Sequence, residues 1–427
     1  MDLMSHILKA REKTMSLNRR TLILAGLAAA AVSGCSAEPK VETLKGNSAY
    51  VAQNPDHPLA RVVAAASQQI GWRLLTQGDH TGNQLLSPAS LCAALALVGL
   101  GATGDSATSL DELFGMNSED RAAGISALRA GLTDYASLPE SIDANNPPEK
   151  PIINLASRLL ICSDIQPTSP FLDAIRKHFD ASVEKVKNSD AQTNLDAWAK
   201  KNTAGLIEKS GIQIDQGTAL VVQDALLFAS RWETQFTSDD TPLAFTTGDG
   251  KTVEIKALSD SFSVRAASGQ GWQAVRLPYD DNLAMDVILP ERGIHPLSWD
   301  SHVLQEVHEK LGLAAKGEVD VTMPPADLTV KRNLKEEFDQ LGVNFNHLDG
   351  IFDGATADQV VQQVRLQVNA KGTVGAALTE FGTDGSAPME APPPTKLVVD
   401  RPYVMRVLDV RKGWPLFLAV VSNPEAK

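Results

Sequence analysis

Residues 368–394 have the sequence VNAKGTVGAALTEFGTDGSAPMEAPPP, which starts like a strand and continues as small residues ending in prolines. Alternate positions from 373 to 383 carry no charge: Thr373, Gly375, Ala377, Thr379, Phe381 and Thr383. Because strand side chains alternate between faces, the segment is able to enter a sheet with one face buried and one wet. Its glycine and alanine content argues against a settled strand. The sequence therefore predicts a loop that can later become a strand, with a plain mobile loop as the alternative.

Short motifs on both sides of this segment resemble, in the same order, those of the serpin family. Residues 372–379 (GTVGAALT) resemble the family's hinge, where a Gly-Thr pair precedes small residues and a threonine. The other matches are Asn83 with 86–91 (LSPASL) and 99–102 (GLGA), 224–228 (DALLF) with Arg231, Trp232 and Phe236, 277–279 (LPY), 285–290 (MDVILP), 400–403 (DRPY) and 416–424 (LFLAVVSNP). Together these matches cover roughly residues 60–425.

The resemblance implies an α+β fold, one mixed domain with about eight or nine helices around several sheets. We expect residues 1–34 to be a signal peptide, 35–58 a flexible tether and 59–427 the domain, with a reactive-centre loop at about 370–395. The pattern from Leu59 predicts an amphipathic first helix. Ser87 and Pro88 predict the start of a second helix, which is apolar nearly all round and must be covered on all sides.

The resemblance also implies a function, the inhibition of a serine or cysteine protease. In this family the protease cleaves the exposed loop and is trapped as an acyl-enzyme when the hinge inserts into the central sheet. The implied hinge consists of Gly372, Thr373, Val374, Gly375, Ala376, Ala377, Leu378 and Thr379. Its alternate residues are small and uncharged, as burial requires. Gly372 is expected to give the pivot backbone freedom.

The family's usual spacing from the hinge places the cleaved bond at Ser386-Ala387, which suits an elastase-like or subtilisin-like protease. Met389-Glu390 is the alternative, because the loop is long on its C-terminal side. We expect a monomer without a cofactor. The alternative function is a surface protein of the same fold that binds a partner without trapping a protease. A cleaved inhibitor should gain much thermal stability, and such a binding protein should not.

Several residues depart from the family's pattern. Ala370 and Val374 replace acidic residues, and Leu378 is larger than the usual alanine. Under the sheet, Asp224 stands where asparagine is usual and Gln362 where histidine is common. Ser87 and Ser90 belong either to that polar network or to the cap of the second helix. The resemblance implies that these four residues control how readily the sheet opens.

The N-terminal residues predict export. Arg19 and Arg20 precede the apolar run 22–32, which is shorter than the roughly 20 residues needed to span a bilayer. Residues 32–35 (VSGC) resemble a bacterial lipobox, which implies a lipid on Cys35 and a protein anchored to the cell membrane or surface. Plain secretion with a free Cys35 thiol is the alternative.

Composition and motifs argue against other functions. A net charge of -13 does not suit a nucleic-acid surface. Gly250-Lys251-Thr252 lacks the earlier glycine of a phosphate-binding loop, and His308-Glu309 lacks the second histidine of a zinc protease. No metal site is expected. Cys92 lies in an apolar run, so we expect a buried, inert thiol rather than a disulfide.

Overall fold

The computed structural model describes residues 41–44, 46–357, 359–376 and 395–426. The helices are α1 (Pro58–Thr76), α2 (Pro88–Gly99), α3 (Gly104–Phe114), α4 (Ser118–Gly131), α5 (Ser169–Phe179), α6 (Asn188–Asn202), α7 (His302–Leu313) and α8 (Lys335–Gln340). The strands are β1 (Glu42–Leu44), β2 (Gln84–Leu86), β3 (Ile152–Ile161), β4 (Ser182–Lys185), β5 (Leu220–Arg231), β6 (Ser238–Thr246), β7 (Thr252–Gly269), β8 (Trp272–Pro278), β9 (Leu283–Pro290), β10 (Lys316–Met323), β11 (Ala326–Asn333), β12 (Val361–Val368), β13 (Gly372–Ala376), β14 (Lys396–Val398), β15 (Tyr403–Asp409) and β16 (Trp414–Val421). Among these residues no helix is long and apolar enough to cross a membrane.

The strands form two sheets. Sheet one has the order β1-β4-β3-β5-β13-β12-β11, and sheet two has the order β14-β10-β7-β8-β9-β15-β16-β2 with β6 paired to β7. Helix α2 packs against β5 of sheet one and β16 of sheet two. Ten of its twelve residues are buried, as expected for a helix that is apolar nearly all round. Ser87 caps this helix and Pro88 occupies its first turn.

The hinge segment differs from the prediction, because residues 372–376 already form a strand. β13 pairs antiparallel with β5 on one side and with β12 on the other. All five of its residues are buried, so the expectation of one wet face is also wrong here. Two neighbouring strand edges supply hydrogen bonds that outweigh the poor strand propensity of glycine and alanine. The rest of the hinge, residues 377–379, lies outside the described residues.

Part of the segment predicted as a tether also forms structure. β1 pairs antiparallel with β4 and becomes the edge of sheet one. After it, the Asp173 carboxylate accepts hydrogen bonds from the backbone N–H groups of Asn47 and Ser48, at 2.5 and 3.1 Å. Within the segment predicted as a tether, sheet pairing therefore fixes the backbone of residues 42–44, and a side-chain acceptor on α5 binds the backbone of Asn47 and Ser48.

Gly372 is required for close packing rather than for backbone freedom. A Cβ at this position would lie 2.1 Å from the Ser230 carbonyl oxygen and 2.7 Å from the Arg231 Cα. Both atoms belong to the backbone of β5, so neither can move aside cheaply. Glycine thus lets β13 approach β5 closely enough to pair.

We expect Gly372→Ala to loosen β13 and to speed amide hydrogen exchange at residues 373–376 by about tenfold or more. Gly317→Ala is the matched control, because Gly317 lies in an exposed strand position with nothing within 4 Å of its Cβ direction. Hydrogen exchange measured by mass spectrometry on both variants tests whether Gly372 is needed for the packing of β13 against β5. Equal protection of these amides in the two variants would contradict the packing role.

Candidate functional site

The candidate site lies in sheet one between β5 and β12, beyond the residues of these strands that pair with β13. β13 ends at Ala376, which pairs with Leu227 of β5 and Arg365 of β12. Beyond this pair, the described residues include no strand that lies between residues 220–226 of β5 and residues 361–364 of β12. We call this space the gap. A cavity of about 530 Å³ lies there, bounded by both strands and by α2.

Aromatic residues hold the hinge at the upper end of the gap. The Tyr279 hydroxyl donates to the Thr373 Oγ1 at 2.6 Å, and both side chains are buried. The Trp232 ring stacks on Tyr279 with centroids 4.6 Å apart, and its Nε1 donates to the Asn369 carbonyl at 2.9 Å. Burial raises the pKa of Tyr279, so the hydroxyl stays neutral and able to donate. Side chains that directly follow β8 and β5 thus hold Thr373 and the residue Asn369 that precedes the hinge.

Ser87 and Gln362 join the second helix to β12 behind the gap. The Gln362 Oε1 accepts from the Ser87 N–H at 2.9 Å, and its Nε2 donates to the Ser87 carbonyl at 2.6 Å. The Ser87 hydroxyl donates to the Leu416 carbonyl of β16 at 3.1 Å. Ser87 therefore serves in the polar network and as the cap of α2, the two roles that the sequence left open.

Asp224 lies beside this pair, on β5. Its Oδ2 accepts from the Ser157 hydroxyl at 2.5 Å and from the Arg129 Nη1 at 3.5 Å. Its backbone carbonyl accepts from the Ser90 hydroxyl at 3.4 Å. The side chain is only 2% exposed, and Oδ1 has no hydrogen-bond partner among the described residues. The carboxylate is thus incompletely satisfied in a nearly dry place, which is costly.

Burial raises the pKa of the Asp224 carboxyl to about 6, although Arg129, Ser157 and Ser90 partly oppose the shift. An unfolded aspartate has a pKa of about 3.9. Between about pH 4 and pH 6 the folded chain therefore keeps a proton that the unfolded chain has lost, and the unfolding free energy decreases as pH rises. Above about pH 6 the full cost of the buried charge is present.

We expect Asp224→Asn to raise the unfolding free energy at pH 7 to 8 by about 1–3 kcal/mol, because asparagine cannot ionise. The gain should shrink as pH falls towards 4. Asp239→Asn, at an exposed position of β6, is the control and should show no such pH dependence. Urea unfolding of the three proteins across this range tests the expectation. A constant difference between wild type and Asp224→Asn would contradict it.

A second polar cluster faces the gap from the side of α6. The Gln223 Oε1 accepts from Arg158 Nε at 2.9 Å and Nη2 at 2.6 Å. Arg158 also donates to Glu184 at 2.6 Å and to the Asn194 side chain on α6 at 2.7 Å. The buried guanidinium thereby joins β3, β4, β5 and α6.

The structure brings together four of the residues proposed to control sheet opening: Ser87, Ser90, Asp224 and Gln362. Sequence reasoning missed Arg129, Ser157 and Arg158, which reach the site from α4 and β3. No local pattern marks them, because their partners lie 26 to 95 residues away. Ser386, Ala387, Met389 and Glu390, the predicted bond residues, and Cys35 lie outside the described residues.

The cysteines and metal ligands add no second site. Cys92 is free and buried, as predicted, and burial raises the pKa of its thiol to about 12. Cys162 is also free and buried. The described residues contain no group of three or more side chains arranged to hold a metal ion.

Comparison with known proteins decides the family. The serpin (serine protease inhibitor) family model matches residues 65–424. The chain belongs to the serpin family. Family and fold are therefore as predicted, and serpins as a family point to a protease-inhibitor type of function rather than an enzyme.

Individual serpins resemble the chain over most of their length. It is 27% identical to serine protease inhibitor 42Dd of Drosophila melanogaster, covering 82% of this chain and 93% of that protein. It is 26% identical to the human leukocyte elastase inhibitor, covering 82% and 95%. The native state of the thermophilic serpin tengpin matches with a TM-score of 0.71 at 17% identity, covering 89% and 97%. A cleaved serpin 42Da matches with 0.69 at 21%, covering 85% and 98%.

Proposed function

We propose that this serpin inhibits a serine or cysteine protease as a suicide substrate. The observation that carries the proposal is β13, because the hinge already lies between β5 and β12 with the gap continuing below it. Cleavage of the loop would free residues 377–383 to extend this strand. The strand would then carry the acylated protease with it.

The register of β13 predicts which residues of β5 and β12 would lie opposite each inserted residue. Ala376 pairs with Leu227 and Arg365, so continued pairing places Thr379 between Asp224 and Gln362. The threonine hydroxyl would thus enter the buried polar network of Ser87, Asp224 and Gln362. Continuing to the end of β5 accommodates residues up to Thr383, opposite Leu220. In this register the inserted backbone would pair with both strand edges, and the Thr379 hydroxyl would lie among polar side chains.

The only charged residue among 377–383 also finds a suitable neighbour. Continued pairing places Glu380 opposite Gln223, on the face towards α6. Gln223 is held by the buried guanidinium of Arg158. A cation nearby lowers the cost of burying a carboxylate. An acidic residue at this hinge position is thus compatible with insertion.

We propose Ser386-Ala387 as the cleaved bond, with Met389-Glu390 as the alternative. A small residue before the bond suits an elastase-like or subtilisin-like protease. The test mixes the chain lacking residues 1–35 with proteases of both kinds, followed by denaturing gels and mass spectrometry. A complex that survives SDS and a released peptide beginning at Ala387 or Glu390 would support inhibition. Cleavage without a complex across a broad protease panel would leave a serpin that only binds a partner.

We expect Thr379→Glu to convert the inhibitor into a substrate, because a second carboxylate would have to enter the buried network beside Asp224. The variant should be cleaved at the wild-type bond but form about tenfold less SDS-stable complex, and its cleaved form should gain less thermal stability. Thr395→Glu is the matched control, being an exposed threonine on the far side of the bond. Undiminished complex formation by Thr379→Glu would contradict the proposed register.

We also propose export and lipid anchoring through Cys35. β1 begins seven residues after Cys35, so the intervening chain spans at most about 25 Å when fully extended. An anchored domain would therefore stay close to the lipid surface.

Cys35→Ala should abolish incorporation of a labelled fatty acid and move the protein from the membrane fraction to the soluble fraction of a bacterial host. Cys92→Ala is the matched control and should keep the label, because its thiol is buried. Labelling that survives in Cys35→Ala would contradict lipidation at this position. A secreted, unlabelled wild-type protein would favour ordinary secretion.

A further inference from the structure

A second cavity, of about 290 Å³, lies against sheet two and shares no lining residue with the cavity in the gap. It is bounded by β7, β8, the start of β9 and the end of α7. Its volume is close to the lower end of the usual range of ligand pockets, about 300–1,000 Å³, so it suits a small molecule. The charged residues that line it are Arg265, Arg276, Lys316, Glu233, Asp280 and Asp281. These side chains therefore determine which molecules the cavity can hold.

Three cations form a row across the sheet at this cavity. Lys316 of β10 lies opposite Arg265 of β7, and Arg265 lies opposite Arg276 of β8. Residues directly opposite in an antiparallel pair point to the same face, with Cβ atoms about 4.5–5.5 Å apart, and like charges there are destabilising. An anion in the cavity would relieve this repulsion.

Arg276 is the buried member of the row, with 7% of its surface exposed. Its Nε and Nη2 donate to the two oxygens of Asp286 at 2.7 and 3.0 Å. Its Nη1 has no hydrogen-bond partner among the described residues, although every N–H of a guanidinium is a donor. Because Arg276 lines the cavity, this group is available to an acceptor there.

Positive charge exceeds negative charge around Arg276. Asp286, the carboxylate that it contacts, is shared with Arg406, whose Nη2 donates to it at 2.7 Å. Burial, Arg276 and Arg406 together lower the pKa of the neighbouring His308 to about 3, so this ring stays neutral. A ligand carboxylate would therefore balance charge that Asp286 alone leaves unbalanced.

The three carboxylates line the cavity near the end of β8. Asp280 and Asp281 belong to the turn that follows this strand, and the Glu233 N–H donates to the Pro278 carbonyl at 2.9 Å. In the part of the chain that the structure describes, no ion pair within 4.0 Å joins any of these carboxylates to a cation. The two sets of charges therefore line one cavity without neutralising each other.

Asp281 and Glu233 are the carboxylates open to a ligand. Asp280 already accepts from the Tyr135 hydroxyl at 2.8 Å and from two backbone N–H groups of its own turn. Asp281 and Glu233 are exposed, and each side chain lines the cavity. A donor in the cavity would thus find an acceptor on this side.

We propose that this cavity binds a small zwitterion, a molecule with one carboxylate and one ammonium group a few carbons apart. The carboxylate accepts from the Arg276 Nη1 and from Lys316, and the ammonium donates to Asp281 and Glu233. Such charge-assisted bonds are stronger than neutral ones. A simple anion would meet the row of cations but leave these carboxylates without a donor, and a simple amine would do the reverse. Arg276 precedes Pro278 by two residues, about 7 Å along the strand, so a zwitterion longer than glycine fits this separation.

Calorimetry on the full chain tests the site with three probes of similar size: γ-aminobutyrate, butyrate and butylamine. We expect γ-aminobutyrate to bind about tenfold tighter than either singly charged probe, because only it satisfies both sides of the cavity. Butyrate or butylamine that binds as tightly would overturn the zwitterion. No heat of binding from any probe at concentrations up to about 10 mM would overturn the site.

Two exposed side chains separate the two halves of the site. Lys316→Gln and Asp281→Asn should each weaken γ-aminobutyrate by about threefold or more. Lys316→Gln should leave butylamine unchanged, and Asp281→Asn should leave butyrate unchanged. Lys256→Gln and Asp239→Asn are the matched controls, because both residues are exposed and neither lines the cavity. Wild-type affinity for γ-aminobutyrate in both Lys316→Gln and Asp281→Asn would overturn the assignment.

Arg276→Lys tests the buried donor. Lysine keeps a positive charge beside Asp286 but lacks the Nη1 group, so γ-aminobutyrate should bind about tenfold more weakly. Unfolding curves first establish that this variant is folded, and if it is not, the two exposed variants still decide the site. Unchanged affinity in folded Arg276→Lys would overturn the contact with Nη1. None of these measurements uses a protease, so their outcome is independent of the proposed inhibition.

Discussion

The pairing of β13 between β5 and β12 is the constraint on which the rest of this structure depends. Five residues hydrogen-bond to two strand edges and hold those strands apart at one end. Since β5 and β12 continue beyond the residues that pair with Ala376, the separation extends into the gap, where the described residues provide no further strand to pair with either edge. Unpaired buried peptide groups are costly, so the sheet favours any segment that fits this register.

The buried polar network opposes a permanently closed sheet. Ser87, Gln362 and Asp224 lie on different elements, and the Ser87–Gln362 pair is fully satisfied while one Asp224 oxygen is not. An asparagine would remove the charge, whereas an aspartate with a raised pKa makes the stability of this region depend on pH. The network therefore does more than hold α2 against the sheet, because the protonation of its least satisfied member changes the stability of this region.

Much of the fold, but only part of the candidate site, could be predicted from the sequence. Alternation places Thr373 and Gly375 on one face of the strand, since strand geometry is local. It did not show that Val374 and Ala376 are buried too, because the covering elements are remote in sequence. The bond from Tyr279 to Thr373 joins residues 94 positions apart, and β1 pairs with a strand about 140 residues later. No periodicity encodes such contacts, so they emerge only from the folded chain.

The free-energy terms for backbone ordering, hydrogen bonding and side-chain burial indicate which residues would favour insertion. Ordering residues 377–383 costs about 1–2 kcal/mol for each residue in backbone entropy. Each hydrogen bond gained along β5 and β12 returns about 0.5–1.5 kcal/mol, so the two sums are of similar size. Side chains must therefore decide, and Phe381 is the largest apolar one in this segment, with about 1.5–3 kcal/mol available from its burial. The apolar lining of the cavity behind the gap would thus contribute most to insertion of this segment under the proposed mechanism.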